Sequence, residues 1–93
     1  MAVPSIFADF MNADTQGRVR LNCIGSTRDL SRLGVRLVDG LRIIVTDDEL
    51  EADGEVVYST EEHIWVAKID WNAIRRLAAP PRRNKPDSFS SPA

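Results

Sequence analysis

Few side chains in this sequence are of a type that does covalent chemistry. His63 is the one histidine and Cys23 the one cysteine. Nucleophilic catalysis of the Cys–His kind needs the imidazole within hydrogen-bond reach of the thiol and a third group to orient it. No spacing here supplies that third group. Cys23 alternates with Val19 and Leu21, which makes it a small inward-facing hydrophobe rather than a nucleophile. One cysteine allows neither an intrachain disulfide nor a cysteine-based zinc site, a usage that fits a reducing compartment. No glycine-rich phosphate loop or dinucleotide fingerprint is present.

The acidic stretch invites comparison with a calcium loop. With Gly54 as the central glycine, Glu49, Glu51 and Asp53 fall at odd ligand positions. The closing position is then Thr60, where a bidentate glutamate is needed, and the flanks read as strands. The stretch reads instead as a solvated strand face. No catalytic residue, metal or cofactor is expected.

What remains is binding. Arg18, Arg20 and Arg42 occupy outward strand positions, and Ile44 is an outward apolar residue on the same strand as Arg42. Small barrels hold single-stranded nucleic acid in a positive groove with aromatic stacking platforms. Tyr58, Trp65 and Phe7 are the available π-faces. Against that use, Tyr58 falls at inward parity, and Trp65 and Trp71 are most simply core residues. The net charge is −2, with basic residues crowded between Arg18 and Arg42 and acidic ones between Asp47 and Glu62. Pairing of the two halves would neutralise both, at about 0–1 kcal/mol for each exposed pair. The sequence therefore favours a non-enzymatic protein-interaction module with Arg18, Arg20, Arg42 and Ile44 as its candidate surface. Single-stranded RNA binding through the arginine face is the second reading.

These residues need elements to hold them. Residues 6–11 read as an opening strand, and Asn12, Asp14 and Gly17 as a turn. Arg18-Val19-Arg20-Leu21-Asn22-Cys23 alternates strictly, the signature of a half-buried strand. Ser26 is the expected N-cap of a short helix that Gly34 ends in left-handed conformation. Asp39-Gly40 turns the chain into a strand with Leu41, Ile43 and Val45 on one face. From Glu49 to Ser59 the alternation runs straight through Gly54, which predicts one long strand bent at that glycine and not a hairpin. Residues 63–69 are apolar on both faces, as a central strand requires. Asp70 then caps a closing helix with Trp71, Ile74 and Leu77 or Ala78 on its buried side, stopped by Pro80-Pro81.

The expected fold is mainly β: a small, strongly bent antiparallel sheet or SH3-like barrel, with a short helix after the second strand and a C-terminal helix. An OB-like barrel is the second form, and a flat sheet backed by two helices is the remaining alternative. Ninety-three residues fit one domain, expected over residues 1–79, with a disordered Pro/Ser/basic tail over 80–93. No run approaches the roughly 18 apolar residues of a membrane span, and the N-terminus lacks a secretory pattern, so a cytoplasmic protein without membrane contact is expected.

The stretches Arg18-Val19-Arg20-Leu21-Asn22, Glu51-Ala52-Asp53-Gly54-Glu55-Val56-Val57-Tyr58-Ser59 and Trp65-Val66-Ala67-Lys68-Ile69-Asp70-Trp71 resemble a group of short uncharacterised bacterial proteins. The resemblance spans roughly residues 6–78. It implies an intracellular bacterial protein and transfers no site residue.

Overall fold

The computed structural model describes residues 3–77. In chain order the elements are β1 (Ser5–Phe7), β2 (Val19–Arg20), α1 (Ile24–Leu33), β3 (Arg42–Thr46), β4 (Leu50–Ser59), β5 (Ile64–Ile69), a single 3-10 turn at Trp71–Ala73, and β6 (Arg75–Arg76). The strands lie in the order β1-β3-β4-β5-β2, and β6 joins the edge of β4. The result is a mainly β, strongly curled half-barrel with one helix. Among the described residues no helix is long and apolar enough to cross a membrane. The domain boundary expected at residue 79 and the tail over 80–93 lie outside the described residues.

β4 is the long central strand. Ala52, Gly54 and Val56 face the core, while Glu51, Asp53 and Glu55 face out, so the two-residue period holds through Gly54. Gly54 is paired on both sides, with Ile43 of β3 and Ile69 of β5. A Cβ placed there would lie 3.2 Å from Val45 Cγ2, 3.4 Å from Ile69 Cγ2 and 3.5 Å from Ala67 Cβ. The missing side chain lets Val45, Ile69 and Ala67 of the flanking strands close over β4 at this point. Ile6, Val19, Ile43, Val45, Val56 and Ala67 form the centre of the core beneath it. Each large aliphatic side chain so buried contributes about 1.5–3 kcal/mol.

The sheet is not wholly antiparallel. β1 runs parallel to β3, with Ile6 opposite Val45. The long connection through β2 and α1 supplies the crossover that parallel pairing needs. The same N-terminal segment also serves the other rim. Ala8 N–H donates to Thr46 O at 3.0 Å, the chain turns at Asp9, and Arg20 N–H then donates to Asn12 O at 2.9 Å. Residues 5–14 thus pair first with β3 and then with β2, the two ends of the β3-β4-β5-β2 run. The turn at Asp9, whose carboxylate accepts from Met11 N–H at 2.9 Å, is why β1 ends at Phe7 and does not run to residue 11.

Strand β2 is two residues long, shorter than the alternation over 18–23 predicts, because the chain leaves the sheet to start α1. Cys23 caps this helix in place of Ser26, its Sγ accepting from Ser26 N–H at 3.4 Å. Ser26 lies within the first turn, fully buried, and its hydroxyl donates to Phe7 O. Asp29 accepts from Phe7 N–H at 2.9 Å. At Phe7 the outer rim of β1 is therefore satisfied by side chains of α1, which blunts an edge that could otherwise template strand addition. Gly25 makes this seat possible, since a Cβ there would collide with the Phe7 ring. Gly34 ends the helix at φ +66.

The closing helix predicted after Asp70 is absent. Asp70 does cap, accepting from Asn72 N–H at 2.9 Å, but only a three-residue 3-10 turn follows. Ile74 returns to extended geometry, and Arg75 is drawn onto β4 by Glu51 at 2.8 Å and Asp53 at 3.3 Å. Leu77 N–H then donates to Glu49 O at 2.8 Å. Tertiary pairing to an acidic strand overrides the helical spacing of Trp71 and Ile74.

Candidate binding surfaces

The four residues of the sequence-derived surface do not form one patch. Arg18 is half-buried and engaged by Asp14, which takes both its backbone N–H at 2.9 Å and its guanidinium at 2.8 Å. Arg20 grips Glu62 with two hydrogen bonds, at 2.7 and 2.8 Å, and donates to Asn12 Oδ1 and Ala13 O at 3.0 Å each. The guanidinium of Arg20 holds the Glu62 carboxyl below its ordinary range, and Glu62 raises Arg20 in return. Arg20 thus ties the residue 12–20 hairpin to the turn after β4, while Arg18 closes the hairpin on itself through Asp14 and reaches Glu61 only at 3.9 Å. Arg42 and Ile44 lie on β3, with β4 and β5 between them and Arg20 on β2. That is about 14 Å across three strand spacings. Ile44 is half-buried, in register with Ser5 and Asp53.

Arg42 has different neighbours. Register places Arg42, Glu55 and Lys68 side by side across β3, β4 and β5. Among the described residues, none of the three makes an ion pair within 4.0 Å. Together with Gly54, Ile69 and Asp70 they line a shallow open recess of about 260 Å³. Its signs are mixed, so it is no concentrated positive groove.

The aromatic end of the half-barrel is the feature that parity alone misses. Tyr58 sits opposite Trp65 with ring centroids 5.0 Å apart at 74°, an edge-to-face pair. Trp65 is half-buried against the core, as its inward parity predicts, yet Tyr58 on the same face remains 38 % exposed. β4 runs past the end of the core here. The signal lay in the polar turn that follows immediately, Ser59-Thr60-Glu61-Glu62. Tyr58 N–H donates to Asp39 Oδ1 at 2.8 Å, which brings exposed Val38 and Asp39 beside the pair. Trp71, expected in the core of a helix, is also partly exposed. Its indole bonds the residue 14–17 turn, and its ring meets Phe10 edge-on at 6.3 Å.

His63 and Cys23 each have a conformational place. His63 takes φ +60 to close the turn between β4 and β5, with its N–H on Ser59 O at 2.7 Å. Cys23 caps α1, its Sγ 3.2 Å from Ser26 Oγ. Among the described residues no three His, Cys, Asp or Glu side chains gather to hold a metal ion.

No protein-family model matches this chain, and neither the curated proteins nor the solved structures offer a significant match.

Proposed function

We propose that this chain is a non-enzymatic protein-interaction module of the bacterial cytoplasm, an SH3-like half-barrel that receives its partner at the Tyr58–Trp65 end. The observation that carries this reading is the exposed ring of Tyr58, held edge-on by Trp65. A rigid aromatic with a polar tip, fixed against a core residue, is the kind of anchor around which binding energy concentrates. Strand addition is the weaker route, because α1 covers the rim of β1 and residues 12–14 cover the rim of β2.

Nucleic-acid binding is the second reading, favoured by Arg42 and Lys68 beside the recess and weakened by the carboxylates that engage Arg18 and Arg20. Affinity capture with the parent chain, Tyr58→Ser and Arg42→Ala separates the two. The interaction reading expects a protein retained by the parent and by Arg42→Ala and lost with Tyr58→Ser. Single-stranded RNA bound at low salt, weakened by added salt and by Arg42→Ala but not by Tyr58→Ser, would replace it.

A further inference from the structure

Resting on that reading, we infer that the aromatic end docks residues 80–86 of a second copy of this chain. The segment is Pro80-Pro81-Arg82-Arg83-Asn84-Lys85-Pro86. Proline-rich segments lie well on exposed aromatic rings, because their fixed φ leaves little conformational freedom to lose on binding. The charges also match. Asp39 flanks Tyr58, and Glu61, in the turn after β4, keeps a side chain 68 % exposed although its Oε1 accepts from Gln16 at 3.2 Å and lies 3.9 Å from Arg18. Three cations in the segment meet an acidic rim.

Reach decides between the chain's own segment and that of a neighbour. Leu77 is bonded to Glu49 at the start of β4, whereas Tyr58 lies near the other end of the strand. Leu50 to Tyr58 is about 26 Å of strand. Pro81, four residues beyond Leu77, reaches at most about 14 Å. β6 runs antiparallel to β4, so the chain at Leu77 heads away from Tyr58, and four residues do not span the length of strand back to the ring, whereas a second copy can present Pro80-Pro81 freely. Reciprocal docking makes a two-fold dimer.

The experiment is sedimentation equilibrium of full chains at low and moderate salt, with the Trp65 indole followed by NMR. The parent is expected to dimerise with rising concentration, more weakly as salt screens the rim. Tyr58→Ser and the double variant Pro80→Ala/Pro81→Ala should each weaken self-association at least about tenfold. Mixed together, the two variants should associate one to one, since the first keeps the segment and the second keeps the rings. A parent that stays monomeric at millimolar concentration overturns the self-docking and leaves the aromatic end to other proteins. Dimers that form equally well with Tyr58→Ser overturn the docking site itself. A Trp65 shift that needs the prolines but not concentration overturns the second-copy assignment.

Discussion

The indole N–H of Trp71 donates to the carbonyl oxygen of Gly17 at 2.7 Å, joining segments 54 residues apart. One end of this link is the 3-10 turn that carries β5 into β6. The other is the tip of the hairpin that completes the curl of the sheet. With Phe10 edge-on beneath the same ring, Trp71 fastens the hairpin to the sheet.

Trp71→Phe keeps the ring contact and drops the donor. It is expected to cost about 1 kcal/mol, and Trp71→Ala more, since the contact with Phe10 is lost as well. Urea midpoints measure both. Equal midpoints for the parent and Trp71→Phe would show that the bond to Gly17 contributes nothing.

Gly54→Ala should destabilise by about 1 kcal/mol and Gly54→Val by about 3 kcal/mol. Each added carbon presses on Val45, Ile69 and Ala67 where they close over β4. Thermal midpoints in that order check the account. A Gly54→Val chain as stable as the parent would mean that the flanking strands have room to move apart.

Asp14 links stability to pH. Burial pushes its carboxyl up, but donation from the Arg18 backbone, the Arg18 guanidinium and the Gln16 backbone outweighs burial and holds it below its ordinary value. Glu62 is lowered chiefly by its hydrogen bond from Arg20. A carboxyl depressed by folding stabilises fully above its unfolded pKa, and that stabilisation is lost as pH falls through the folded one. Stability is expected to hold from neutral pH down to about 5 and to decline below about 4. Asp14→Asn should be less stable than the parent by about 1–2 kcal/mol at neutral pH, and the gap should close on acidification. Parallel pH curves for the two chains would rule out Asp14 as the source.

His63 carries a side chain in a left-handed conformation that glycine adopts without strain. His63→Gly should leave stability unchanged or raise it by up to about 1 kcal/mol, and His63→Val should lower it by more than that. Differential scanning calorimetry of the pair distinguishes them, and a loss in His63→Gly would assign the imidazole a contact of its own.

What could be read from the sequence follows the reach of each signal. The faces of β3 and β4, and the passage of β4 through Gly54, are set by alternation, which is local and needs no partner. Gly34 as helix terminator is equally local. The parallel pairing of Ile6 with Val45 left no local trace, because it joins segments that nothing in the chain marks as neighbours. Trp71 and Ile74 kept helical spacing and still left the helix, since Glu51 and Asp53 held Arg75 on β4. Parity placed Arg18 and Arg20 outward, as found, but could not say that Asp14 and Glu62 would occupy them. For Tyr58, parity gave the face correctly and exposure wrongly, because exposure depends on where the core stops.

The placement of β1 carries a consequence for synthesis. β1 leaves the ribosome about forty positions before the residues it pairs with, so Ile6 cannot join β3 until that strand has been made. The antiparallel run of β3, β4 and β5, linked by short turns, can assemble as a unit before that closure occurs. β1 is thus fitted onto strands made well after it, and until then α1 waits without the strand it shields.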